Sequence, residues 1–111
     1  MTDTALRAPL LAIATFPDEN TAASIARTLV GERLIACMNI VPGARSIYSW
    51  QGEVCDDAEV VGFLKTTGDR LDDLRARLVD LHPYDVPELV AIPIGGGNPA
   101  YLTWLAQSVG E

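Results

Sequence analysis

Two β-rich runs, LIACMNIVPGARSIYSW (residues 34–50) and EVCDDAEVVGFLKT (residues 53–66), flank the dipeptide Gln51-Gly52. β-branched and aromatic residues on both sides of a two-residue turn are the signature of a β-hairpin. Pro42-Gly43 interrupts the first run as a bend or bulge, after which the strand resumes from Ala44 to Trp50. Strands of roughly 14 residues exceed the usual ~5 to 6, so the hairpin must project beyond the sheet it belongs to. Its register follows from the turn: Trp50 faces Glu53, Tyr48 faces Cys55, and Cys37 falls opposite Thr66, within the one or two residues that a bulge shifts. The two cysteines are then about eleven strand steps apart, roughly 36 Å. A disulfide needs Cα atoms within about 7 Å, which excludes an intramolecular bridge.

Upstream of the hairpin, Leu10 to Phe16 is a continuous apolar run, the pattern of a strand buried on both faces. Pro17 and Asp18 stop it. Ala22, Ile25, Ala26, Leu29 and Val30 then recur at helical spacing to about Glu32, preceded by the proline and acids that favour a helix start. Downstream, Asp69 is the expected cap of a second helix in which Leu71, Leu74, Leu78 and Leu81 share one face. Leu89 to Ile94 follows as a last strand. Gly95-Gly96-Gly97 lacks the lysine and hydroxyl of a phosphate loop and reads as a connector. Asn98 and Pro99 open a terminal helix, whose Tyr101 and Trp104 are expected to cover a helix–sheet seam. The order strand, helix, hairpin, helix, strand, helix specifies an α+β, ferredoxin-like (βαββαβ) antiparallel sheet with a C-terminal helix and its helices on one face.

A chain of 111 residues that is 49% hydrophobic forms one domain spanning residues 1–111, with residues 1–8 expected as a flexible terminus. A net charge of −7 and scattered arginines exclude a phosphate-tracking surface, so nucleic acid is not an expected partner. No apolar run reaches the ~18 residues of a membrane span and the start does not read as a signal peptide, which points to the cytoplasm. Ile40, Val41, Ile47, Tyr48, Trp50, Val54, Val60 and Phe63 are more apolar surface than one covered sheet face absorbs. Together with projecting strand edges, they predict a homo-oligomer.

The only histidine, His82, lies in His82-Pro83-Tyr84-Asp85-Val86-Pro87-Glu88, where Pro83 ends the helix and Pro87 pushes Val86 into an extended conformation. At a helix end an imidazole serves as a ligand, or as a C-terminal cap that the helix dipole favours in its charged form. Cys37 falls near Lys65, the only lysine. A neighbouring ammonium favours thiolate, whereas an inert thiol and a lysine paired with Glu59 or Glu88 is the structural alternative. Met38 points to the opposite face from Cys37 and reads as packing.

The strings ERLIACMNIVPGARSIYSWQGEV, EVVGFLKT, HPYDVPELVAIPI and NPAYLTWL closely resemble the CutA family of divalent cation tolerance proteins, in the same order over nearly the whole chain. The resemblance implies a small, stable, cytoplasmic homotrimer of PII-like architecture, assembled through the hairpin edges, with a role in tolerance of copper and other divalent metals. His82 matches the histidine of the family's HPY motif and is carried over as a candidate metal ligand, with Cys37 as a second. Where some metal-binding members have a cysteine and a second histidine, this chain has Ala14 and Leu81. By the same resemblance Glu59, Lys65, Tyr84 and Glu88 are expected beside an intersubunit cleft, with Tyr48 and Trp50 in the trimer interface. No cofactor is required; copper(II) or another divalent cation is the expected ligand. The alternative is a PII-like sensor or scaffold whose clefts hold a small ligand or a protein partner. Ser46 or Ser49 with His82 comes without a nucleophile elbow or orienting acid, so no enzyme is read.

Overall fold

The computed structural model describes residues 7–110. Four antiparallel strands, β1 (Pro9–Phe16), β2 (Cys37–Trp50), β3 (Glu53–Thr67) and β4 (Val90–Pro93), form one sheet in the order β2-β3-β1-β4. Helices α1 (Glu19–Gly31), α2 (Leu71–Leu81) and α3 (Pro99–Ser108) complete the expected βαββαβ order with its C-terminal helix. The ferredoxin-like arrangement follows because the hairpin strand β3, not β2, lies beside β1.

The hairpin has the register the turn dictates near its tip, with Tyr48 opposite Cys55 and Trp50 opposite Glu53. Gln51 and Gly52, at φ 50° and 82°, make the turn with two left-handed residues, the backbone twist that two-residue hairpins require. Between Val41↔Val61 and Ala44↔Glu59 the ladder shifts at Pro42-Gly43, so Cys37 pairs with Lys65 and not Thr66. That is a β-bulge, two residues opposite one, with Gly43 at φ 88°. The molecule is correspondingly elongated, 45 × 25 × 25 Å.

One face of the sheet is the core. Ala12, Ala14 and Phe16 alternate inward from β1 and meet Leu64, Gly62 and Val60 across the ladder, under Ile25 and Leu29 of α1 and Leu74 and Leu78 of α2. Full burial of a Phe or Leu side chain contributes ~1.5–3 kcal/mol. Gly62 is required here: a Cβ would sit 2.8 Å from both Phe16 and Met38. Met38 packs on this core, as its strand position demands.

The expectation that β1 is buried on both faces is corrected. Leu11 and Ile13 are only half-buried, because all the core helices lie on the other side. Strand β2 begins at Cys37, later than Leu34, since Leu34 to Ala36 enter as a buried connector. Asp69 does not cap α2. It lies in a 3₁₀ turn, Gly68–Arg70, and its carboxylate is held by the Thr67 hydroxyl and the Arg7 guanidinium. Of Tyr101 and Trp104, only Tyr101 reaches the sheet, its hydroxyl 3.6 Å from the Cys37 thiol of β2; Trp104 is 44% exposed, and Leu105 and Val109 fill the seam against Ala36 and Ile94. Of the terminus expected to be flexible, residues 1–6 lie outside the described residues. Arg7 also donates to the Ala106 and Val109 carbonyls at the end of α3, and the Ala8 carbonyl accepts from Gly68.

Candidate functional site

Pro83 cannot continue a helix, so α2 ends at Leu81 and His82 turns to extended geometry, its backbone N–H still closing the last helical turn on the Leu78 carbonyl at 2.9 Å. The imidazole folds back over the end of β1. It stacks on Phe16, ring centroids 5.1 Å apart, and is 7% exposed. The Tyr84 amide donates to Nδ1 at 3.1 Å, which makes Nε2 the protonated nitrogen that donates to the Thr15 carbonyl at 2.8 Å. The ring therefore ties the 82–84 corner to β1 and does not cap the C-terminal carbonyls of α2.

Tying this corner down places Tyr84. Its hydroxyl donates to Glu59 Oε2 at 2.7 Å, and its ring lies 4.6 Å from that of His82. Burial, then the bond to the Glu59 carboxylate, raises the Tyr84 pKa far above its ordinary value. Tyr48 on β2 donates to Asp57, and that bond, with some burial, pushes its pKa up to about 12. Both phenols stay protonated because ionisation would put a second negative charge beside a carboxylate.

These side chains surround a cleft of about 620 Å³ between the hairpin and the His82–Glu88 corner, lined by Thr15, Ser46, Ile47, Tyr48, Trp50, Glu59, Tyr84, Asp85, Val86 and Glu88. Of the sequence-derived residues, Glu59, Tyr84, Glu88, Tyr48 and Trp50 come together here. Lys65 does not line the cleft; it lies six residues along β3 from Glu59 and its Nζ donates to Asn39 Oδ1 at 2.6 Å. Cys37 pairs with Lys65 in the ladder, but its thiol lies 3.6 Å from the Tyr101 hydroxyl, a contact that, ahead of burial, raises the pKa of that phenol. Cys37 and His82 belong to different parts of the sheet. Lys65 pairs with Leu11 while His82 holds Thr15, four residues and roughly 13 Å along β1.

A metal ion needs at least two or three converging donors. Among the described residues no three His, Cys, Asp or Glu side chains are so gathered. Ala14, fully buried, and Leu81, packed against the core, offer no donors. Both ring nitrogens of His82 are engaged. The residues of one protomer thus do not fit a resident metal ion. A second concavity of about 540 Å³ beside α2 is self-neutralised, with Arg77 paired to Glu32 and Asp80 and Arg70 to Asp73.

Asp57, Asp85 and Val86 join the site without having been singled out in the sequence. The hairpin register carried the signal for Asp57, which faces Ser46, and the other two lie inside the His82–Glu88 segment itself.

Residues 10–108 match the family described as CutA1 divalent ion tolerance protein. The chain is 53% identical to the divalent-cation tolerance protein CutA of Thermus thermophilus over 86% of its own length and 93% of the relative's. It is 44% identical to the chloroplastic protein CutA 1 of Oryza sativa over 87% of its length, and spans 55% of that longer protein. The solved structure of the Thermus thermophilus Cut A1 protein superposes with a TM-score of 0.89 at 50% identity, covering 92% of this chain and 99% of that one. By profile, sequence identity and fold together, the chain belongs to the CutA1 divalent ion tolerance protein family.

Proposed function

We propose that this chain works in the cytoplasm as a homotrimer in the response to divalent cations, copper(II) foremost, with no resident cofactor and no catalytic step. The observation that supports self-association is the open face of the sheet. Val90 and Ile92, 50% and 49% exposed, lie across from Ile13 and Leu11, and these across from Phe63 and Lys65. The projecting hairpin carries Tyr48 and Trp50, 43% and 44% exposed, on the same face, while Ile47 and Val54, 65% and 80% exposed, stand on its other face beyond the helices. Such a strip in contact with water loses ~25 cal/mol for every Å² that a second copy would cover. Strands β2 and β4 are both sheet edges whose backbone groups a neighbouring copy can pair. A ring of three is what the family likeness implies.

In this reading copper(II) takes donors from more than one protomer, with His82 and Cys37 as the candidates, because one protomer gathers no three-donor group among the described residues; His82 binds only by giving up its bond with the Thr15 carbonyl or the Tyr84 amide. Native mass spectrometry of the reduced protein, alone and with stepwise copper, tests both parts. The expected result is a trimer taking up three coppers, with uptake lost in His82→Ala. A monomer would remove the association, and a trimer that stays metal-free at equivalent copper would remove the metal part.

The cleft supports a second reading, a PII-like sensor holding a small ligand. Its volume falls within the ~300–1,000 Å³ of small-molecule sites, and its polar groups lie on an otherwise aromatic and apolar wall.

A further inference from the structure

Helix α3 is joined to the rest of the chain differently from α1 and α2. Among the described residues the main core holds side chains of both those helices and none of α3, whose Leu105 packs in a separate small cluster with Ala36, Val109 and Ile94. The connector before it, Gly95-Gly96-Gly97, is exposed. A Cβ on Gly95 or Gly96 would meet nothing within 4 Å beyond its chain neighbours, and one on Gly97 would first meet Leu102 of α3 itself, at 3.7 Å. The helix closes its own start, where the Asn98 side chain accepts from the Ala100 amide at 3.2 Å. Its end is closed from elsewhere. Arg7 donates to the Ala106 and Val109 carbonyls, and Arg33 to the Gln107 carbonyl at 2.9 Å, while the Arg33 carbonyl accepts from the Gly110 amide at 3.1 Å. These two guanidinium groups supply the donors and the positive charge that a helix C-terminus needs, and the last turn of α3 carries no basic residue of its own.

Both arginines are themselves held in place. Arg7 is anchored through its other terminal nitrogen to Asp69 at 2.9 Å and to the Thr67 hydroxyl at 3.5 Å, at the end of β3. Arg33 stands at φ 60°, the left-handed position after α1 that glycine adopts most readily. Its amide donates to the Val30 carbonyl and the Leu34 amide to the Leu29 carbonyl, both at 3.0 Å, which ends that helix. A glycine there would relieve the backbone and forfeit the side-chain bond to α3. We propose that α3 is a hinged strap, with Gly95–Gly97 as its hinge and Arg7 and Arg33 as its clasp, that opens as one unit from the Pro9–Thr67 end of the sheet while the strands, α1 and α2 stay folded. Opening bares Ala36 and Ile94 and lifts the Tyr101 hydroxyl off the Cys37 thiol, 3.6 Å away when the strap is closed. Cys37 is therefore a built-in reporter of the motion, and Cys55, on the hairpin opposite Tyr48, is its control.

Hydrogen exchange of the full chain in its native oligomer, read by mass spectrometry, tests this. Residues 99–108 are expected to exchange as one group, faster than β1, β3, α1 and α2. Arg7→Ala leaves two carbonyls of α3 unpaired and should raise that exchange about tenfold or more, with the strands unchanged. Arg33→Gly should raise it as well, although glycine suits the backbone at that position; a residue that served only to end α1 would give no change. Gly96→Ala, outside the left-handed region, should slow the exchange about two- to fivefold by stiffening the hinge. Alkylation of Cys37 by iodoacetamide should quicken in Arg7→Ala while Cys55 keeps its rate. Exchange of 99–108 that matches the core strands in the native chain and in both arginine variants overturns the proposal. So does a rise in Arg7→Ala that spreads equally over every element and both cysteines, which is loss of the whole fold. An Arg7→Ala chain whose oligomeric mass changes in native mass spectrometry would show α3 held by a neighbouring subunit and overturn the clasp.

Discussion

His82 holds two backbone groups at once, the Thr15 carbonyl and the Tyr84 amide, and through Tyr84 it sets the position of Glu59. Truncation strands both partly buried partners, at ~1–3 kcal/mol for each group left unpaired. His82→Ala is therefore expected to lower the unfolding free energy by about 3 kcal/mol in urea titrations. It should also speed hydrogen exchange at the Tyr84 amide. The tyrosines carry the alkaline limit of stability. A phenol whose folded-state pKa lies above its unfolded value contributes stability that is complete below pH ~10 and is lost as pH rises through the folded value. Tyr48, raised to about 12, and Tyr84, also raised, place that loss above pH 10. Unfolding free energies measured from pH 9 upward should fall, and the fall should be shallower in Tyr84→Phe. Asp69 has the opposite sign. Its burial, which acts upward, is outweighed by the bonds from Thr67 and Arg7, and its pKa is lowered from the usual 3.8. Its contribution is complete above that value and lost as pH falls through the lower folded one, so Asp69→Asn should flatten the acid limb.

At the scale of elements, the hairpin is specified by a turn and corrected by a bulge. Gln51 sits at φ 50°, a left-handed position that asparagine tolerates better than glutamine. Gln51→Asn should raise stability by on the order of 0.5 kcal/mol, read as a higher denaturation midpoint at unchanged slope. The close crossing of β1, β2 and β3 depends on Gly62, where a methyl group would meet Phe16 and Met38 at 2.8 Å. Gly62→Ala should cost about 1–3 kcal/mol through overpacking, and Met38→Ala in the same chain should recover part of it. The strands, their order and the two long helices were legible in the sequence because apolar period and turn residues report local geometry directly. The cap of α2 was not. Asp69 has the composition of a cap, but Arg7, 62 residues away along the chain, takes its carboxylate, and no local pattern announces a partner at that distance.

For the whole molecule, the apolar face opposite the helices is the feature that most needs a partner. Ile92 stands in its edge strand, half exposed, where an aspartate would be solvated in a free protomer and buried against apolar surface in an assembly. Ile92→Asp is expected to reduce the mass in solution to that of one chain, 11.9 kDa, with an unchanged circular dichroism spectrum. Light scattering coupled to gel filtration measures it, and an unchanged oligomer would remove this face from the interface. Family resemblance named Glu59, Tyr84 and Glu88 for an intersubunit cleft and Tyr48 and Trp50 for a trimer interface; in one protomer all five line the same concavity. Lys65, expected beside the same subunit boundary, lies six steps along β3 from Glu59 within one protomer and donates to Asn39 there.

Sequence alone determined the α+β order, the hairpin and its tip register, the end of α2 at His82 and the absence of a bridge between Cys37 and Cys55, which are both free thiols. Each of these is a consequence of neighbours along the chain or of a period of two or 3.6 residues. Tertiary structure alone decided what His82 does, that the carboxylates spread around a cleft and do not converge on an ion, and that Lys65 stands apart from them. Those outcomes depend on which side chains from distant segments meet. Pro42-Gly43 marks the bulge and the element order implies the β2-β3-β1-β4 sheet, but neither says which side chains of the hairpin and of the 82–88 corner come into contact, because that depends on three-dimensional packing between segments far apart in sequence.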